Sequence, residues 1–207
     1  QRQMCIRDRV DIVREAQNAL RSLKAELRPF VVIRPPFSLS ADDASKRRLI
    51  MRGDPLEIEL LLINVMKNAA EAVQGLPDGG VLVKFRRETL PSPLAENPSP
   101  SPAAPSAEAV IVEVEDNGPR LSDEAFERLT RVSQSVKDEG LGLGLGIVRS
   151  LVEENGGRIA ITRREDLSGR GLRVTLCFDL DAEGLKAQSA PETDPADKSA
   201  AQGSPNV

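Results

Sequence analysis

The chain has 207 residues, 40% hydrophobic and 29% charged, with a formal net charge of -4 and a pI near 5.2. That bounds it to one domain of ordinary size with a self-sufficient core plus flexible ends. With no basic excess, five Phe, no Tyr and no Trp, it offers little to nucleic acid. The absence of His excludes, within these residues, a serine-type triad, a His general base and a His phosphoacceptor.

Cys5 and Cys177 lack metal-ligand spacing, so a zinc site or disulfide framework has little support, and a reducing, cytoplasmic setting is expected. No apolar run approaches 18 residues and no signal-peptide pattern opens the chain. No membrane contact is expected in this portion, and anchoring of a longer parent stays open.

The first nine residues, QRQMCIRDR, match nothing that follows, resemble translated adapter sequence and are expected to be non-native. From Val10 to Leu27 apolar residues fall at helical spacing. Phe30 to Ile33 then reads as a strand stopped by Pro35 and Pro36, and Leu49 to Met51 as a second. Asp54-Pro55-Leu56-Glu57 predicts a helix start, with an acidic cap, Pro at the first helical position and Glu three residues after the cap. That helix is expected to reach Gln74 and end at Gly75, burying Leu56, Leu60, Ile63, Val65, Met66, Ala69 and Val73.

Val81 to Phe85 and Ala109 to Glu115 read as paired strands around a Pro/Ser/Ala-rich loop at 90–106. Ser122 caps a short helix that leads into the polar stretch Arg131 to Glu139. A helix from Leu145 to Asn155, closed at Gly156, precedes an antiparallel pair, Ile159 to Thr162 and Leu172 to Phe178. Residues 182–207 read as a disordered tail. Strands arriving in pairs with helices between them favour a two-layer α+β sandwich, residues 10–181, over a doubly wound parallel sheet.

Three constellations carry possible chemistry. Asn64 and Asn68 lie four apart on one face of the 54–74 helix. Buried amides need partners, so they either edge a neighbouring loop or offer an amide oxygen to a hard cation such as Mg²⁺. Asp116-Asn117-Gly118-Pro119, at a strand end, is either an ordinary turn or an acceptor for an exocyclic amine such as adenine N6. Gly140-Leu141-Gly142-Leu143-Gly144-Leu145-Gly146 opens a helix whose unpaired N–H groups suit a phosphate, yet fits neither the dinucleotide fingerprint nor a Walker loop.

In this order and spacing the three pieces resemble the histidine-kinase branch of the ATPase superfamily shared with gyrase, mismatch-repair ATPases and a heat-shock chaperone. "LLLINVMKNAAEA" looks like the N box, "VEDNGP" like the first glycine box and "GLGLGLGIVRSLVEENGG" like the second, over roughly residues 11–180. The resemblance implies a Bergerat-type fold, a mixed, mostly antiparallel sheet with helices on one face, binding ATP and Mg²⁺ beneath a lid at about 118–141. It implies that Asn68 ligates Mg²⁺ with Asn64 assisting, that Asp116 reads the adenine amine, and that Gly118 lines the base. Gly140, Gly142, Gly144 and Gly146 would close over the phosphates, with Lys137 reaching the γ-phosphate.

Position 64 carries the choice within the superfamily, because Asn cannot serve as a base where hydrolysing branches are expected to hold Glu. The implied function is the catalytic portion of a two-component sensor histidine kinase, phosphorylating a His outside this chain. Its implied partners are a dimeric phosphoacceptor hairpin and a response regulator, in a homodimeric parent. An anti-sigma-type serine kinase and a non-catalytic ATP-binding module are the alternatives. The departures are Arg120 at the second glycine of the first box, a lid without the usual aromatic pair, and Leu172 where a Thr usually stands.

Overall fold

A computed structural model describes residues 8–34, 48–90, 107–132, 143–167 and 170–181. Lys137, Gly140, Gly142, nearly all of the 90–106 loop and the 182–207 tail lie outside these residues. Among the described residues seven strands form two sheets. A five-stranded sheet has the order β2 (Val31–Arg34), β4 (Val81–Leu90), β5 (Ala107–Asp116), β7 (Leu172–Asp179), β6 (Arg158–Arg163). β2 runs parallel to β4, and every other pairing is antiparallel. A small second sheet pairs β1 (Asp8–Asp11) with β3 (Ile50–Gly53).

The α-helices among the described residues are α1 (Ile12–Ser22), α2 (Pro55–Val73), α3 (Asp123–Val132) and α4 (Leu143–Glu154). Strand alternation explains the layering. Val110, Val112 and Val114 of β5 and Val174, Leu176 and Phe178 of β7 enter one core with α1, α2 and α4. The intervening residues form a charged outer face, where Glu115 meets Lys84 and Arg173 at 2.8 Å each and Glu113 meets Arg86 at 2.6 Å. This is the expected α+β sandwich with its helices on one side.

The structure departs from the pattern-based reading in several places: the first helix stops at Ser22 rather than Leu27, and Phe30 ends a 3-10 turn before β2. Val10 belongs to β1, pairing with Met51, and the helix begins only at Ile12, because Asp11 adopts an extended conformation and accepts a hydrogen bond from Val13 N–H as N-cap. Periodicity alone does not distinguish a strand running directly into a helix from a longer helix. In α2, Leu56 and Leu60 are 76% and 47% exposed, whereas Ile58, Leu61 and Leu62 are buried. The helix is apolar around most of its circumference, so the sequence left open which stripe faces the sheet.

The ends of α2 follow the signals. Asp54 accepts from Leu56 and Glu57 N–H, Pro55 fills the first turn, and Gly75 takes φ +86°. Asn155 joins that start to the end of α4. Its Oδ1 accepts from Asp54 N–H at 2.9 Å, and its Nδ2 donates to Glu57 at 2.9 Å and to the Leu151 carbonyl at 2.8 Å. The two helices are thereby held antiparallel, the end of α4 beside the start of α2.

Candidate functional site

A cavity of about 430 Å³ opens between the sheet and the helices α2, α3 and α4. Its floor is Val114, Ile161, Leu172 and Val174, and Asn68, Ala69 and Ala72 of α2 form one wall. Gly144 and Leu145 of α4 close one side, and Pro119, Leu121, Ala125 and Leu129 the other. A mostly apolar cleft with a few converging polar groups is the usual form of a small-molecule site.

Asp116 is the buried acid at its base, 5% exposed. It ends β5 on the helix-facing side because it shares strand parity with Val112 and Val114. Burial pushes its carboxyl above the usual Asp range, against the pull of the Gly118 and Leu172 amides and the charge of Arg164. Gly118 N–H donates to Asp116 Oδ1 at 2.8 Å, and a Cβ on Gly118 would stand 2.8 Å from that same oxygen. Gly171, at φ +70°, lies so close that a Cβ there would sit 2.0 Å from the Asp116 carbonyl oxygen. The turn before β7 and the acid are thus packed backbone to backbone, and only glycine fits.

Asn68 reaches the cavity from α2, and α4 starts against it: a Cβ on Gly144 would lie 2.8 Å from Asn68 Nδ2. The first and third sequence constellations therefore meet at this one contact. Asn64, one turn earlier, is outside the cavity lining and donates from Nδ2 to the Leu60 carbonyl at 2.8 Å. Gly146 is buried within α4 and is likewise not among the lining residues. Lys137, Gly140 and Gly142 fall outside the described residues.

Two departures in the sequence now have a location. Arg120 is exposed, and although Pro119 and Leu121 on either side line the cavity, its side chain does not. Leu172 lines the floor while its backbone amide serves the Asp116 carboxylate. Asn117 secures the turn by accepting from Gly80 N–H at 2.7 Å and donating to the Asp78 carbonyl at 2.6 Å.

Sequence reasoning missed the α3 wall. Leu121, Ala125 and Leu129 recur every four residues, a signal visible in the chain, but the fold is needed to show that this stripe faces the site. Arg163 and Arg164 were also missed, for no local motif marks them.

The family model for histidine kinase-, DNA gyrase B-, and HSP90-like ATPases matches residues 53–182, the stretch that holds every wall of this cavity. The chain belongs to this ATPase family. Membership supports ATP as the nucleotide of this domain, as the resemblance implied. Over 142 residues the chain is 30% identical to nitrogen regulation protein NtrY of Azorhizobium caulinodans, a match covering 66% of this chain and 16% of that protein. It is 31% identical to the C4-dicarboxylate transport sensor protein DctS of Rhodobacter capsulatus, covering 66% and 18%. It is 32% identical to the sensory histidine kinase/phosphatase NtrB of Klebsiella oxytoca, covering 53% and 29%.

The chain therefore spans less than a third of each of these relatives. The fold matches the mycobacterial sensor histidine kinase MprB with a TM-score of 0.59 at 17% identity, covering 84% of this chain and 98% of that one. It matches the catalytic domain of histidine kinase ThkA with a TM-score of 0.57 at 19% identity, covering 84% and 96%. Among the described residues no helix is long and apolar enough to cross a membrane.

Proposed function

We propose that residues 10–181 are the ATP-binding catalytic portion of a cytoplasmic part of a two-component sensor histidine kinase, moving the γ-phosphoryl group of ATP to a His outside this chain. The observation that carries the reading is the N-box helix. Asn68 enters the cavity, and the residue one turn before it is Asn64, which has no basic group to activate water. Two of the named relatives are a transport sensor protein and a sensory histidine kinase/phosphatase, which supports the same branch.

Asp116 fits the adenine amine: its carboxylate is fixed by two backbone N–H groups at the bottom of an apolar cleft. The fit for Mg²⁺ rests on Asn68, whose amide oxygen is a hard donor. Among the described residues no group of three or more His, Cys, Asp or Glu could hold a metal by itself. A single amide oxygen, completed by phosphate oxygens and water, suits Mg²⁺, which seldom uses an all-protein cage. Bound there, the ion would supply charge neutralisation on the phosphates. Asn68 holds it, Gly144 leaves room for that amide, and Pro119, Leu121 and Leu129 keep water from the base.

The acceptor side follows from composition, because the chain has no His. A helical hairpin bearing that His would approach over α2, where Leu56 and Leu60 stand exposed on the turns before Asn64. The parent is read as a homodimer signalling to a response regulator, with any membrane anchor elsewhere.

The test is phosphorylation of the full parent protein with γ-labelled ATP. The reading expects an acid-labile, alkali-stable label and little release of free phosphate. An acid-stable label would favour serine phosphorylation, and rapid phosphate release without protein label would show an ATPase.

A further inference from the structure

Arg163, on β6, faces the helix side of the sheet, two residues beyond the cavity-lining Ile161. Its guanidinium makes four contacts with the first turn of α3 and the residues before it. The group lies 4.4 Å from the centroid of the Phe126 ring. Nη1 pairs with Asp123 Oδ1 at 2.8 Å, and Nη2 donates to the Ser122 carbonyl at 3.1 Å and the Leu121 carbonyl at 3.3 Å. Its Nε is buried with no hydrogen-bond partner, an arrangement that lasts only where the remaining contacts hold the group in place.

Among the described residues no strand or helix runs closely along the backbone of α3. Inside the helix, Ser122 caps the first turn through Ala125 N–H and Phe126 N–H, which sets its start but does not dock it. Yet α3 and its lead-in supply Leu121, Ala125 and Leu129, one whole wall of the cavity.

We infer that Arg163 is the residue that docks α3 against the sheet and so sets how fully the nucleotide cavity is formed. Resting on the ATP reading above, this makes Arg163 a positioning residue: it touches the wall, and the wall touches the ligand. Only arginine suits the place. A planar fork is needed to stack on a ring while bridging a carboxylate and two carbonyls, and lysine supplies one point charge without that geometry. Asp123 contributes less, since its side chain is 83% exposed and its pairing is solvent-screened.

The consequence is a loss of the binding-competent population. If removing the fork leaves α3 docked about a tenth of the time, apparent affinity falls about tenfold with the floor and Asp116 untouched. The order of effects on the Mg-ATP dissociation constant is Arg163→Ala, then Arg163→Lys, with Asp123→Asn near wild type. Because the chain contains no Trp, Phe126→Trp creates a sole reporter on α3 that keeps an aromatic face under the guanidinium.

The experiment measures Mg-ATP affinity of the 207-residue chain for these variants, beside far-UV circular dichroism and the anisotropy of Trp in Phe126→Trp with and without Arg163→Ala. We expect unchanged far-UV spectra, a roughly tenfold weaker dissociation constant for Arg163→Ala, and lower Trp anisotropy in the double variant. Equal affinity and equal anisotropy, with wild type binding Mg-ATP, would overturn the role of Arg163. Should Arg163→Ala fail to fold, Arg163→Lys and the Trp reporter decide the matter by the same two readouts. Failure of wild type to bind Mg-ATP would instead strike the ATP reading itself.

Discussion

Replacing Asp116 with Asn separates what this side chain does for ATP from what it does for the fold. The carboxylate accepts from the Gly118 and Leu172 amides and is otherwise aimed at the cavity. An Asn keeps one acceptor oxygen and turns the other position into a donor, which meets either the adenine amine or a backbone N–H of like polarity. A hydrogen bond to a charged acceptor contributes about 1.5–3 kcal/mol, so ATP affinity should fall roughly 10- to 150-fold. Stability moves less, because two effects oppose.

Burial raises the folded carboxyl above its unfolded value, so its contribution is fully present below the ordinary Asp range and lost as pH rises through the folded value. At neutral pH the charged form therefore costs stability, and Asn relieves that cost while weakening one backbone bond by about 1 kcal/mol. The melting temperature should stay within about 4 °C of wild type. Titration calorimetry with ATP and ITP is the assay. Inosine presents a carbonyl where adenine has its amine, so the variant should lose ATP while gaining relative preference for ITP. Unchanged ATP affinity, or equal loss for both nucleotides, would refute the reading of Asp116 as the adenine acceptor.

Gly144→Ala should raise or preserve the melting temperature, since Ala exceeds Gly in helix propensity by about 1 kcal/mol, yet weaken Mg-ATP binding about tenfold by pushing the Asn68 amide aside. Gly171→Ala, with a positive φ and a clash against the Asp116 backbone, should lower the melting temperature by roughly 5 °C or more and expose the same turn to proteolysis. Asn155→Ala removes a buried amide that bridges α2 and α4, costing about 2–3 kcal/mol in urea unfolding while leaving the cavity chemistry in place. Burial would raise the Glu115 carboxyl, but the hydrogen bonds and charges of Lys84 and Arg173 prevail and hold it below the usual range. Its stabilisation is therefore present above the ordinary carboxylate range and lost as pH falls through the folded value, so Glu115→Gln should flatten the acid limb of a stability profile run from about pH 7 to about pH 3.

What the sequence made legible was local. The α2 cap and its glycine stop and the later strand pairs each depend on residues within one turn or one strand, and each stands where spacing placed it, whereas Gly140 and Gly142 of the third motif lie outside the described residues. The missing pieces depend on tertiary choice. α2 is apolar enough that Leu56 and Leu60 are reasonable core candidates until the sheet claims Ile58, Leu61 and Leu62. Val10 fits a helical stripe until Met51 pairs with it.

Within the site, Asn68, Asp116 and Gly144 were visible because each falls in a short motif. Arg163 was not, since its work is done across the fold on a helix some 40 positions earlier in the chain. Arg120, the departure at the second glycine of the first box, is exposed between two lining residues.

The central claim is that one Mg-ATP binds between Asn68 and Asp116. Its most direct test is calorimetric titration of ATP into wild type and Asn68→Ala, each with Mg²⁺ and with the metal chelated. The account predicts one saturable site per chain that weakens at least tenfold on chelation or on the Asn68 substitution, the two losses overlapping when combined. No binding by wild type, or binding indifferent to both metal and Asn68, would contradict it.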